Sequence, residues 1–452
     1  MNQIDELTHK FHSFELESVR QEDWELWEAV RFDVYYRIQG AMLNADSPPL
    51  ACNKNKEIHS FWQKIWQGLS FVKACMARKQ VLFFAASRFL NIQGEQYDPN
   101  ITDVYALVKN DALIIDSYIS SKPYEYDVVI NRILSIIYRI YSHFPFSVKF
   151  PDSLIIEVNR HFDVIIEPRF YNQLICRYLS EKYFYTILLK LLRPKVIFIT
   201  QNGIQKGLFA VAKYLGIPVV EFQHGIIYFS HLAYSYPQGL DSDLLNLPTY
   251  FFAFSEFWKK KIESCFPVEE ICVSGNTKAN EIYIGEKKYD LTFICTTAYM
   301  KRFLQIVSEL RECGYAGKIC LKLHPQQQNE VDHLRAITSS DKDIEVIYTE
   351  FSIKEIIGHS ANIFAIQSTS VYEALDARKP VFLLKEMSYM VHQDVFAHPL
   401  VTLIEDMNDL KKCLQSEDSY NDMTDLRFFE PFHKERVLSF LHDKFGLLTT
   451  HS

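Results

Sequence analysis

Along most of this chain, short apolar runs alternate with stretches whose apolar residues recur every three or four positions. Residues 1 to about 80 lack the short runs and are expected to be helical. Within them Ile58, Phe61, Trp62, Ile65, Leu69, Val72 and Met76 form one apolar stripe at helical spacing. The opposite face carries Lys64, Lys73, Arg78 and Lys79. Such a helix suits docking on the body of the protein, the expectation here, or contact with a bilayer surface.

From Val81 onward the texture is that of a layered α/β protein. Val81–Ala86 and Ala112–Ile115 read as buried strands, and helices are expected over 126–144 and much of 152–192. A strand Val196–Ile199, a helix 204–215 and a strand Pro218–Phe222 then make a βαβ unit, which implies a parallel sheet. The strand Phe251–Phe254 and the helix after Glu256 close this series. The turn-rich Ser274-Gly275-Asn276-Thr277 and the charged 286–290 form a hinge.

A second series follows: Leu291–Cys295, Ile319–Leu323, Ile344–Tyr348, Ile363–Ile366, Val381–Leu384 and Val401–Ile404. Helical segments, among them 299–313 and 371–378, separate most of these strands. A helix near 429–445 ends the chain. The fold class is therefore α/β, two Rossmann-like domains facing a cleft. The divisions are a helical extension at 1–80, a first domain at 81–284, a second at 285–425, and a C-terminal helix and tail at 426–452. Ligands of such a fold sit outside the carboxyl ends of the strands, so motifs there carry the most weight.

Composition narrows the chemistry. A net charge of −8 over 452 residues disfavours nucleic acid as a partner. The cysteines at 52, 75, 176, 265, 272, 295, 313, 320 and 413 include no CxxC pair, and several lie in apolar runs, as expected of reduced cytoplasmic thiols. The acidic start Met1–Glu6 has no apolar core and does not read as a signal peptide. No run reaches the roughly 18 apolar residues of a spanning helix. The expected place is the cytoplasm, with any membrane contact made from the inner face.

Two motifs fall at strand ends of the second domain. In Lys322-Leu323-His324-Pro325, the strand delivers a histidine to its carboxyl end, and Pro325 stops the strand and fixes the turn. An imidazole there can donate to a phosphate oxygen. In Gln367-Ser368-Thr369-Ser370, hydroxyls precede a helix beginning near Val371, an arrangement suited to an anion as well as to simple capping. Glu373 follows within the first turn, in reach of ribose hydroxyls.

Together these motifs resemble bacterial sialyltransferases and polysialyltransferases of the GT-B fold. Those enzymes carry an HP motif and a serine/threonine pair that bind the CMP of the donor. Capsule and lipopolysaccharide transferases that use CMP-Kdo look similar at this level. The resemblance spans roughly 285–405 and implies that His324, Pro325, Ser368, Thr369, Ser370 and Glu373 form the nucleotide site. One departure stands out: the family's acidic triplet ending in glycine is absent.

The acceptor base must then lie elsewhere. Glu221-Phe222-Gln223-His224-Gly225 ends a buried strand, so His224 is expected to face the cleft. A His-Gly in this setting resembles CDP-glycerol phosphotransferases, which would make His224 the base. Glu95 and Asp98, or Asp103 further on, are the carboxylate candidates. Arg88 suits a sugar carboxylate, while Gln223, Asn202 and Gln205 are candidate acceptor contacts. Asp241-Ser242-Asp243 matches a metal-binding pattern but lies in a loop, so no metal is assigned. Gly203 and Gly207 only partly match a dinucleotide loop, and Lys301 and Arg302 are candidate donors to the phosphates.

The resulting expectation is a glycosyltransferase without a resident cofactor. It would move a sugar from a nucleotide donor, CMP-linked with sialic acid or Kdo, to a capsular or lipopolysaccharide glycan or a lipid-linked glycan. Contact with other polysaccharide-assembly proteins fits the same reading. The alternatives are a CDP-alditol phosphotransferase, a non-catalytic scaffold of the same fold and, more remotely, a sugar-nucleotide epimerase.

Overall fold

The computed structural model describes residues 3–42, 72, 76–85, 90–92, 95–97, 100–116, 128–143, 148–200, 203, 205–265, 267–276, 285–296, 299–366, 368–385, 389–416 and 426–447. The apolar stripe of 58–76 lies almost wholly outside them. So do Arg88, Asp98 and Asn202.

The strands of the first half are β1 (Val81–Ala85), β2 (Leu90–Ile92), β3 (Glu95–Tyr97), β4 (Ala112–Asp116), β5 (Val128–Val129), β6 (Val196–Ile199), β7 (Val219–Phe222), β8 (Tyr250–Ala253) and β9 (Glu270–Val273). Seven of them form one sheet in the order β5-β4-β1-β6-β7-β8-β9. Every pair in it is parallel. The side chains of β1 alternate between two cores, Leu82 and Phe84 on one face, Val81, Phe83 and Ala85 on the other. That is why these strands read as unbroken apolar runs.

The second half contributes β10 (Tyr289–Ile294), β11 (Ile319–Lys322), β12 (Ile344–Ile347), β13 (Ser360–Ala365), β14 (Val381–Leu384) and β15 (Val401–Ile404). Its order is β12-β11-β10-β13-β14-β15, again wholly parallel. Both sheets reverse direction of growth beside their first strand, at β1/β6 and at β10/β13. These are the switch points where an open α/β sheet makes room for ligands.

Several elements differ from expectation. The pair Val128–Val129 joins the sheet edge, and the helix begins only at Asn131. The stretch 152–192 is two helices, Asp152–Phe162 and Pro168–Leu192, parted where Asp163 takes a left-handed conformation. Strand β9 was not read: it is four residues long and opens on exposed Glu270, which leaves an apolar run of only three. The short β2–β3 hairpin, Leu90–Ile92 with Glu95–Tyr97, was not among the expected strands.

The last helix, Lys434–Phe445, packs Val437, Phe440 and Leu441 onto the first sheet. The return path is fixed by hydrogen bonds. Phe428 and Phe429 donate to the Asp376 carboxylate, at 3.0 and 2.8 Å, and Glu430 donates to the Phe254 carbonyl at 3.0 Å. Asn276 donates to the Glu430 carbonyl at 2.8 Å. Gly275, at positive φ, lies so close to the Pro431 backbone that any side chain would collide with it.

The N-terminal helices Gln3–Ser18 and Trp24–Met42 bury Phe11, Phe14, Trp27, Val34 and Tyr35 against Phe150, Phe162 and Tyr171. Their polar residues are equally buried. Arg31 donates to both Glu15 oxygens at 2.6 and 2.9 Å, and Trp27 adds a third bond to Glu15 at 2.7 Å. The same guanidinium donates to the Leu232 carbonyl at 2.6 Å and the Ser235 carbonyl at 3.0 Å. Beside it, Lys206 donates to Glu28, Tyr236 and the Asn246 carbonyl, each at 3.0 Å. Burial alone would favour the neutral amine, but Glu28 outweighs it and holds Lys206 above the usual lysine range.

Removing one member of such a pair leaves a buried charge alone, at a typical cost of about 3–5 kcal/mol. Glu15→Leu is therefore expected to lower the urea-denaturation stability by about that amount. A loss below about 1 kcal/mol would mean that the pair contributes no more than a surface bridge.

Candidate active site

The base candidate on the first domain is built by β7 and the chain beyond it. Glu221 sits in the middle of a sheet whose neighbours are apolar, and it is fully buried. It accepts a 2.7 Å hydrogen bond from the Tyr234 hydroxyl. The oxygen of that hydroxyl lies 3.5 Å from His224 Nδ1. With Tyr234 donating to Glu221, its oxygen faces Nδ1 as an acceptor, which favours the Nδ1–H tautomer and leaves the Nε2 lone pair facing away.

Gln223 has a different role from the expected substrate contact. It is buried, its amide oxygen accepts from Phe254 N–H and its amide nitrogen donates to the Gly225 carbonyl, both at 2.9 Å. With both ends held by backbone, Gln223 fixes the turn that carries half-buried His224. Tyr234 is fixed in turn, since the two carbonyls that Arg31 grips, Leu232 and Ser235, bracket it.

On the second domain His324 is exposed at the end of β11, with its backbone N–H donating to the Gln327 side chain at 2.9 Å. Pro325 opens the short helical turn Pro325–Glu330. Ser368 and Thr369 lie at the end of β13, and Ser370 opens the helix Ser370–Asp376. The Ser368 hydroxyl oxygen accepts from Ser370 N–H at 3.2 Å, so part of this cup is a helix cap. The helix is short, and the donors available to a ligand here are chiefly the hydroxyls. Half-buried Glu373 stands on its first turn. Two strand spacings of about 4.8 Å separate the β11 and β13 ends.

These two half-sites face one another. A side-chain carbon placed on Gly225 would lie 4.0 Å from Thr369 Oγ1. The helix Glu256–Glu263 packs against Ser370–Asp376 just behind, with Trp258 and Tyr372 rings 5.0 Å apart. His224 and the hydroxyl triplet thus border one cleft.

The other candidates are more dispersed. Glu95 opens β3, and Asp103 lies in the first turn of the helix Thr102–Val108. Asp241 accepts from Asp243 N–H at 2.9 Å, an ordinary turn cap. Gly207 lies inside a helix, where it permits close approach to Glu181 of Pro168–Leu192. Gln205 is buried at the N-terminus of the helix Lys206–Tyr214. Arg302 pairs with Glu309 at 3.1 Å along its own helix, while Lys301 is exposed.

Three neighbours of the candidate site were not singled out from the sequence. Glu221 announced itself as a carboxylate inside an apolar strand, a rare placement that needs a buried partner. Thr296, at the end of β10 beside the switch point, has a buried hydroxyl without a hydrogen-bond partner among the described residues. His392 is fully buried behind the triplet, with Ser368 N–H donating to its Nε2 at 3.4 Å. No sequence period marks it.

No family model matches this sequence, and no curated protein matches it. Solved structures do. The S. aureus MnaA–UDP co-structure is 12% identical, with 83% of this chain and 99% of that chain covered and a TM-score of 0.50. UDP-GlcNAc 2-epimerase from Methanocaldococcus jannaschii with UDP-GlcNAc and UDP is 13% identical, covering 80% and 99%, at 0.44. MurG of Acinetobacter baumannii is 13% identical, covering 75% and 91%, at 0.41. The likeness is one of fold: the chain adopts the GT-B arrangement of two Rossmann-like domains, with an added N-terminal helical extension.

Burial pushes the His392 imidazole down to about 3. The folded state therefore holds it neutral while the unfolded chain takes up a proton below its ordinary value of 6.5. Its stabilising contribution is present above that value and is lost as pH falls. Between pH 7.5 and 5.0 the loss from this group is expected to be about 2 kcal/mol. Buried His12 and half-buried His231, lowered to about 3 and about 4 mainly by desolvation, add losses of the same sign. Urea denaturation of wild type and His392→Gln at the two pH values measures the term, and an unchanged pH dependence in the variant would refute it.

Proposed function

We propose that this protein transfers a sugar from a nucleotide donor, CMP-linked by the resemblance of its motifs, onto a growing polysaccharide or lipid-linked glycan. The observation that carries this reading is the juxtaposition of Gly225, next in the chain to His224, with Thr369 across the cleft. An acceptor hydroxyl beside His224 and a donor phosphate on the hydroxyl triplet would bring the reacting atoms between them. The UDP held by the S. aureus structure of the same fold supports a nucleotide in this cleft.

In this mechanism His224 Nε2 removes the acceptor proton while the acceptor oxygen bonds to the anomeric carbon. The bond from that carbon to the donor phosphate breaks through an oxocarbenium-like state, and its electron pair leaves with the nucleotide. Hydroxyls of Ser368, Thr369 and Ser370, with His324, stabilise the leaving phosphate by hydrogen bonding. Glu373 is assigned to the ribose hydroxyls. The charge left on His224 is balanced through Tyr234 by Glu221, which needs no proton of its own. Closure of the domains excludes water from the donor.

A second reading is favoured by one observation. The acidic triplet of the sialyltransferases is missing, and a His-Gly stands in the position of the base. The same residues would serve a CDP-alditol phosphotransferase, in which the acceptor oxygen attacks phosphorus and CMP departs.

Thermal shifts with CMP, CDP, UDP and GDP test the donor site. Ligand at a hundredfold excess over its Kd is expected to stabilise by about 2.7 kcal/mol. Cytidine nucleotides should give the largest shift, and His324→Ala should diminish it. Stronger stabilisation by UDP or GDP would overturn the cytidine assignment. Product analysis with CMP-sugars and CDP-alditols separates the two readings.

His224→Ala is expected to reduce turnover by about 10²–10⁴-fold with the nucleotide shift retained. Tyr234→Phe should lower kcat less, leave the donor KM unchanged and move the acidic limb of the pH–rate profile. A profile identical to wild type would remove Tyr234 from the mechanism.

A further inference from the structure

Two neighbouring helices on the flank of the first domain present apolar side chains to solvent. Helix Asn131–His143 turns Ile133, Leu134 and Ile137 toward the core and leaves Ile136 and Ile140 outside. Helix Pro168–Leu192 buries Phe184, Tyr185, Leu188 and Leu189 and leaves Tyr183, Ile187 and Leu191 outside. These five outward side chains are between 43% and 57% exposed. Spaced four apart, they form a stripe on each helix. The rings of Tyr141 and Tyr183, 5.9 Å apart, join the two. A helix packed on a core by one face is ordinarily polar on the other, so apolar residues on both faces need a second partner.

Charge identifies that partner. Segments 131–143 and 182–195 contain Arg132, Arg139, Lys182, Lys190, Arg193 and Lys195 and no aspartate or glutamate, in a chain where acidic residues outnumber basic ones by 56 to 48. Lys182 is paired with Glu25. Arg139, Lys190, Arg193 and Lys195 are exposed around the apolar stripe. A second copy of the chain, meeting this face isologously, would set these cations against themselves. The 58–76 stripe would bring Lys64 and Lys73 of its own.

We propose that this flank rests on an anionic lipid bilayer. The isoleucines and Leu191 enter the boundary between headgroups and acyl chains, the basic side chains meet lipid phosphates, and Tyr183 lies at the interface with its hydroxyl in water. Attachment of this kind is peripheral, and no helix among the described residues is long and apolar enough to cross a membrane. The inference is independent of what the cleft binds. It would hold a cleft that accepts lipid-linked glycans beside the surface that carries them.

Sedimentation of the full-length protein with vesicles tests it. The vesicles are phosphatidylcholine alone, or phosphatidylcholine mixed with phosphatidylglycerol. Binding to the mixed vesicles should exceed binding to the neutral ones by about tenfold and fall with added salt. The substitution pairs Ile140→Asp with Ile187→Asp, and Lys190→Glu with Arg193→Glu, lie at exposed positions and should each weaken binding about tenfold with melting temperature unchanged. Equal binding to both vesicle types, or variants that bind as wild type does, would overturn the proposal. So would a dimer in sedimentation equilibrium that the same substitutions dissolve, since that outcome assigns the face to a second copy.

Discussion

The Arg31 guanidinium is fully buried, and it touches parts of the chain that are 201 and 204 positions away. It can stay charged there only because Glu15 neutralises it and two carbonyls accept two further protons. Those carbonyls flank Tyr234, the residue that faces His224. The requirement that a buried charge be hydrogen-bonded therefore sets the shape of the loop beyond β7. Lys206 and Glu28 impose the same requirement at Asn246, the far end of that loop. The N-terminal helices are thus part of the framework of the cleft.

The second domain reaches its half of the cleft by a different route. Its site residues sit at the ends of β11 and β13, on either side of β10, where sheet order alone opens a crevice. Little polar scaffolding is needed because the strands deliver the backbone directly. His392 and Tyr372 fill the space behind the triplet with rings 5.7 Å apart, and the short helix is held from the other side by Trp258. One half-site is positioned by topology and the other by buried charge.

This contrast explains what could be read from the sequence. Parallel strands buried on both faces leave unbroken apolar runs, so both sheets and the ends where His224, His324 and Ser368–Ser370 fall were legible. Strand β9, only four residues long and opening on Glu270, left a run too short to read. The part played by Arg31, and the pairing of Tyr234 with Glu221, were invisible because they join positions far apart in the chain with no periodic signature. Gln223 was misread for a related reason. A glutamine at a strand end looks the same whether its amide meets a ligand or, as here, the backbone of the next strand.

The return of the chain to the first sheet has a mechanical consequence. The polypeptide passes between the halves twice, once beyond Asn276 and once between Phe429 and Glu430, and the second passage is anchored on both sides, by Asp376 in one half and by Phe254 and Asn276 in the other. Gly275 and Pro431 press the two passages together. A body joined to another by a single strand can swivel about any direction, whereas one joined by two adjoining strands turns like a door on paired pins. Any opening of the cleft would thereby be confined to rotation about one axis. His224 and Thr369 would then part and meet along a single arc.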